Sequence, residues 1–139
     1  MKIEILLCPE ALSLPPLAAA GVGAIARFEG IVRDLEGGRR ITGLNYEAYE
    51  PMADRMIREI LEDLGRVHPF HIARVHHRIG FVPVGEAAIL MDVSSKHRFE
   101  AFSVLTKFLD RLKQEVPIWK RAAGVSSEIV NSQEESAAH

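Results

Sequence analysis

The sequence is poor in the residues that carry the most specialised chemistry. Cys8 is the one cysteine among 139 residues. No disulfide can form within the chain, and no cysteine-based zinc site can be built. Cys8 lies in a strand-like run without an activating neighbour in sequence, which argues against a nucleophilic role. A charge excess is also missing. The 17 Lys and Arg against 19 Asp and Glu leave a formal net charge of -2. That excludes nucleic-acid binding driven by bulk charge and confines any anion site to a local cluster. Long apolar runs are absent as well. The opening run after Lys2 is broken by Glu4, too short and too charged for a signal peptide or a membrane span. A cytoplasmic protein is the expectation.

The 47% hydrophobic and 26% charged content is ordinary for a globular chain. The length suits one domain with a real core. We assign residues 1–121 to that domain and 122–139 to a polar, flexible tail.

Periodicity gives a coarse order of elements. Residues 2–7 read as a strand, and Pro9 to Ala20 as a short helix or turn-rich connector interrupted by Pro15-Pro16. A long strand follows from Gly23 to Arg33, with Ala24, Ala26, Phe28, Gly30 and Val32 on one face. Gly37-Gly38 supplies a turn, and Ile41 to Ala48 returns as the second arm of a hairpin with a basic tip at Arg39-Arg40. Pro51 opens a helix that Gly65 is expected to stop. Strands at about 71–79 and 86–94 precede a helix over about 96–115, which Pro117 ends. Hairpins outnumber crossovers, so the fold class is α+β, a mostly antiparallel sheet with helices packed on one side.

Candidate site residues concentrate between Ser94 and Arg121. Ser94-Ser95 and His97-Arg98 stand at a helix start, where free N–H groups and the helix dipole favour an anion, and Arg98 can grip a phosphate bidentately. Simple N-capping with solvated charges would produce the same pattern. On the long helix, Phe99, Phe102, Leu105, Leu109, Leu112 and Val116 are expected to form the buried stripe. Lys113 lies at its edge, either snorkelling or partly desolvated and suited to catalysis. Lys120 follows Trp119 on a stiff Pro-Ile-Trp segment, or is an exposed cation near a helix C-terminus. Arg33 closes the long strand beside a loop where a ligand can meet it.

Two further patterns carry less. His68, His71, His76 and His77 match no zinc spacing, and strand neighbours 76 and 77 point to opposite faces, so no metal is expected. Gly37-Gly38 is simplest as a turn, because no phosphate-loop lysine follows it. Arg98 and Lys113 are about 22 Å apart along one helix. If both serve one small substrate, two protomers must share the site, which predicts a homodimer.

Seven segments in order then resemble a known family. They are Gly23-Ala24 through Phe28-x-Gly30-x-Val32-Arg33; Leu44-x-Tyr46-Glu47-Ala48-Tyr49 with Pro51-Met52-Ala53; His77-Arg78-Ile79-Gly80; Val84-Gly85-Glu86; Val93-Ser94-Ser95-x-His97-Arg98; Ala101-Phe102; and Leu112-Lys113 through Val116-Pro117-Ile118-Trp119-Lys120-Arg121. Over residues 23 to 121 the chain resembles the MoaE family, the large catalytic subunits of molybdopterin synthase.

The resemblance implies an α/β hammerhead-type fold and a homodimer within a heterotetramer. The partner implied is a small ubiquitin-like, MoaD-like sulfur carrier, whose C-terminal Gly-Gly tail bears a thiocarboxylate. Two sulfurs would pass to cyclic pyranopterin monophosphate to make the dithiolene of molybdopterin, with no cofactor at this step. Lys113 and Lys120 would be catalytic, and Arg33, His97, Arg98 and Arg121 would bind the substrate. The chain departs from the family pattern at Ala122, where glutamate is common, and in a tail without tryptophan. A homologue that binds the carrier without turnover is the alternative, and a dimeric anion-binding regulator without a carrier is a further one.

Overall fold

The computed structural model describes residues 1–17 and 19–125. In chain order the elements are β1 (Lys2–Cys8), β2 (Ala24–Ile31), β3 (Leu35–Glu36), β4 (Arg39–Arg40), β5 (Gly43–Ala48), α1 (Glu50–Val67), β6 (Ile72–Arg78), β7 (Gly80–Pro83), β8 (Ala87–Ser95), α2 (Arg98–Glu115) and β9 (Ile118–Ala123). The main sheet runs β1-β6-β8-β2, and a smaller one runs β7-β5-β9. Only β1 with β6 is parallel in the main sheet. The expected α+β class and mostly antiparallel pairing are observed.

Alternation builds the main sheet. Ala26 and Phe28 of β2, Ala73 and Val75 of β6, and Ile89, Met91 and Val93 of β8 face one way and meet Ile57, Ile60 and Leu61 of α1 and Val104 and Phe108 of α2. Both helices therefore lie on one face. The opposite face is crossed by a row of charge. Glu4, Arg74, Asp92 and Arg27 occupy matching register positions on the four strands. The connector after β1 closes over this row, because Arg27 donates to the Leu14 carbonyl at 2.8 Å and Arg74 to the Pro15 carbonyl at 2.7 Å. Among its described residues this connector holds no helix.

Four expectations need correction. The long strand does not pair with residues 41–48: β2 pairs with β8, and β5 sits between β7 and β9 in the other sheet. The physical cause is a register shift between Gly30 and Ile31, after which the Val32 N–H bonds to the Glu86 carbonyl and leads the chain off the ladder. Gly37-Gly38, both with positive φ, joins only the short β3–β4 ribbon.

Gly65 does not stop α1, which continues to Val67. It is buried under its neighbours, and a Cβ there would lie 2.2 Å from Met1 Sδ and 2.9 Å from the Phe70 ring.

The buried stripe of α2 is Ala101, Val104, Leu105, Phe108 and Leu112, whereas Phe99 and Phe102 are 66% and 58% exposed. Apolarity alone merged two faces of one helix.

Finally, β7 and β9 are strands where periodicity assigned no element. Gly80 at φ 90 turns the chain from β6 into β7, and β9 carries Ala122 and Ala123 past the expected domain boundary. The rest of the expected tail, residues 126–139, lies outside the described residues.

Candidate functional site

The segment that follows α2 places the first group of candidate residues. Val116 caps the helix, Pro117 accepts a bond from the Tyr49 N–H, and β9 then runs antiparallel to β5. Lys113 stands in the last turn of α2 and Lys120 on β9, so one helix-to-strand junction separates the two amines. Lys113 is exposed. Its place on the wheel is about 120° from the centre of the buried face, so it extends into solvent.

Register fixes where Lys120 and Arg121 point. Lys120 is opposite Tyr46 and Arg121 opposite Asn45. Opposed residues share a face and neighbours alternate. Lys120 thus projects on the side of buried Tyr46, Leu44 and Ala122, and Arg121 on the outer side with Asn45. Lys120 Nζ lies 3.7 Å from Glu36 Oε1 on β3, each side chain about one-third exposed at 32% and 30%. A small hollow of about 50 Å³ between Asn45, Glu47, Trp119, Lys120 and Arg121 opens at the strand surface. Arg33, half-buried just beyond β2, leads into the β3–β4 ribbon and is engaged by neighbouring groups.

Beneath Lys120 the interior is built from Tyr46 and His77, whose rings meet edge to face at 5.0 Å. Burial pushes the Tyr46 hydroxyl up to about 12, and the charge of Glu36 adds to that rise. Burial takes His77 down to about 4, opposed by its bond to the Arg78 carbonyl at 2.8 Å. Nδ1 is the donor in that bond, so the imidazole is neutral with a defined tautomer.

The second group sits at the other end of α2. His97 occupies the N-cap position without a side-chain cap bond, and Arg98 is the first helical residue; both are exposed. With Gly23, Ala24, Lys96, Phe99, Phe102 and Ser103 they line an open cleft of about 680 Å³. Gly23 is required there, since a Cβ would fall 2.2 Å from the Lys96 carbonyl oxygen. Ser94 and Ser95 do not join the cleft. Both are fully buried in β8, with Ser94 bonded to the Ile72 backbone and Ser95 to the His97 carbonyl. The expected place of Ser94-Ser95 at the helix start is corrected: the strand continues to Ser95, and the helix begins at Arg98.

Within one chain, then, the structure brings Lys120 to Glu36 beyond the C-terminal end of α2, with Arg121 on the other face of β9, and gathers Lys96, His97 and Arg98 at the start of the helix. Glu36, Tyr46 and Lys96 were not singled out from sequence. Glu36 was hidden in a segment read as loop, and only the folded position of the β3–β4 ribbon brings it to Lys120.

The remaining candidates separate. His76 donates to Glu4 at 2.8 Å on the outer face of the main sheet, whereas His77 faces inward. His68 accepts from Lys107 at 2.9 Å beside Phe99. No group of three His, Cys, Asp or Glu among the described residues is arranged to hold a metal. Burial raises the Cys8 thiol, which leans on the Glu10 carbonyl at 3.7 Å. No helix among the described residues is long and apolar enough to cross a membrane.

Comparison with known proteins adds an independent line. Residues 9–115 match the family model described as MoaE protein. The chain is 41% identical over 113 residues to the molybdopterin synthase catalytic subunit of Arabidopsis thaliana, covering 81% of this chain and 57% of that protein. It is 42% identical over 99 residues to the protein of the same name from Homo sapiens, covering 71% and 53%. The chain thus spans about half the length of these two relatives. Against the protein of that name from Thermoplasma volcanium, also 42% identical, the shares are 71% and 72%. Among solved structures, molybdopterin synthase from Staphylococcus aureus superposes with a TM-score of 0.79 at 31% identity, covering 90% of this chain and 92% of that one. A complex of subunits 1 and 2 of molybdopterin-converting factor from Helicobacter pylori matches at 0.67 and 21% identity, a likeness of fold.

Proposed function

The chain belongs to the MoaE protein family, and on that premise we propose that it is the catalytic subunit of a molybdopterin synthase. Its reaction is sulfur transfer from a thiocarboxylated, ubiquitin-like carrier to cyclic pyranopterin monophosphate. Each transfer makes one carbon–sulfur bond on the pterin and, with water, leaves the carrier ending in a carboxylate. Two transfers complete the dithiolene.

The observation that carries this reading is the placement of Lys113 and Lys120 on either side of the α2–β9 junction. Two cations there suit an anionic thiocarboxylate and the charge that develops as the carbon–sulfur bond forms. We assign Lys113 to charge stabilisation at the pterin and Lys120 to the carrier end. Arg33, Arg121, His97 and Arg98 serve the phosphate and the pterin.

Because Arg98 and Lys113 are about 22 Å apart in one chain, a complete site takes residues from two protomers. Exposed Phe99 and Phe102 beside His97 and Arg98 are consistent with a second copy covering that face. The carrier, with a C-terminal Gly-Gly, then docks at each end of the dimer to form a heterotetramer. A single, half-buried cysteine suits the reducing cytoplasm.

Single-turnover transfer with purified protein, thiocarboxylated carrier and cyclic pyranopterin monophosphate tests the proposal. Dithiolene formed by the wild type and lost in Lys113→Ala is the expected result. A stable carrier complex that yields no product would overturn it in favour of a binding-only homologue.

A further inference from the structure

Lys120 occupies an unusual position for an amine. Its register partner is Tyr46, and the neighbouring pairs on the same face are Leu44 with Ala122 and Ala48 with Ile118. That face belongs to a small core of Val32, Ile41, Leu44, Tyr46, Val82 and Ala88. A lysine rooted on an apolar face either swings out to water or meets a counter-charge. Here the counter-charge comes from a different element, Glu36 of β3, at 3.7 Å.

The position of Glu36 is closely specified. Leu35 beside it is 5% exposed, so the ribbon is anchored by a buried side chain. The two-residue Gly37-Gly38 turn fixes the register of Glu36 with Arg39. At the ribbon's base, the Ile41 N–H bonds to the Asp34 carbonyl at 2.9 Å, and Arg40 pairs with the Asp34 carboxylate at 2.8 Å. Glu36 also bears electrostatically on the buried Tyr46 hydroxyl. The carboxylate therefore lies where it acts on both the amine and the phenol that share one face of β5 and β9.

We infer that Glu36 is a positioning residue for Lys120, holding the ammonium at the ribbon side of β9 so that an incoming anionic chain end meets it there. An ion pair one-third exposed adds little to stability. Its effect is on where the amine sits and how freely it reacts. The inference rests on Lys120 serving the sulfur-transfer site proposed above, but its first test does not depend on turnover.

Limited acetylation of the whole chain with acetic anhydride, read by peptide mass spectrometry, reports the reactivity of each lysine. Glu36→Gln should raise the acetylation rate of Lys120 by about three- to fivefold, the upper end for a partly exposed pair, with Lys113 and Lys2 unchanged. Glu36→Asp should lie between the two. An unchanged rate at Lys120 overturns the inference, and so does an equal rise at all three lysines, which would mark general loosening. Steady-state transfer with thiocarboxylated carrier in excess is the second readout: Glu36→Gln should lower kcat about tenfold at unchanged pterin KM, with partial recovery in Glu36→Asp. A raised KM at full kcat would also overturn it. A wild type that acetylates as expected but transfers no sulfur would leave the Glu36–Lys120 coupling standing and remove the proposed function.

Discussion

Asp92 and Arg74 face each other across β8 and β6 as a bidentate pair, Arg74 Nε to Oδ1 at 2.9 Å and Nη2 to Oδ2 at 2.5 Å, with Asp92 1% exposed. Bonding to Asp92 holds the guanidinium above its ordinary range. Arg27 adds a second cation 3.7 Å from the same carboxylate. Removing the carboxylate leaves a buried guanidinium without its counter-ion. Asp92→Ala should therefore cost about 3–5 kcal/mol, measured by urea unfolding. A loss within about 0.5 kcal/mol, the range of an ordinary surface substitution, would show that the row is dispensable.

Gly23 predicts a change in the cleft at the start of α2. An added Cβ meets the rigid Lys96 carbonyl oxygen at 2.2 Å, so β2 or the turn before α2 must shift. Gly23→Ala should destabilise by about 1–3 kcal/mol and weaken binding of the phosphate-bearing pterin, measured by calorimetry. Wild-type affinity in the variant would detach this cleft from substrate binding.

His77 predicts a pH dependence. Its folded value of about 4 lies below the ordinary 6.5, so between these limits the unfolded chain binds more protons and stability falls as pH falls. The contribution is fully present above about pH 6.5 and lost progressively down to about pH 4, reaching about 3 kcal/mol. His77→Phe should flatten that part of the stability profile in denaturant titrations across the window. An undiminished slope would assign the acid sensitivity to other groups.

The two lysines predict different kinetic signatures. Lys113→Ala should lower single-turnover transfer by about 100-fold or more with carrier binding intact, the loss expected when transition-state charge goes unmatched. Lys120→Ala should weaken the productive seating of the carrier end and give a distinctly different loss. Equal loss of carrier binding in both variants would remove the division of roles.

Strand alternation in β2 and the apolar spacing of α1 were legible because each depends on residues within one element. The partner of β2 was not. A register shift at Gly30 and Ile31 and one bond from Val32 to Glu86 decide it, and neither leaves a compositional mark. Lys113 was read at the edge of a buried stripe because Phe99 and Phe102 are as apolar as Phe108. Only the packed sheet distinguishes them. Lys120 was found from its motif, yet its orientation follows from β9, a six-residue strand rich in charge that carries no alternating signal. Glu36 lay beyond sequence reasoning altogether, since two residues of ribbon bring it to an amine 84 positions away.

The parallel pairing of β1 with β6 joins Lys2 to Ile72 and Cys8 to Arg78. A nascent chain leaving the ribosome at roughly 5–20 residues per second exposes β1 for some seconds before its partner strand exists. Leu6, 43% exposed even after folding, lies on that waiting strand. β1 is thus made well before the strand that seals it, and the interval is the one in which a chaperone or an aggregating neighbour would find it.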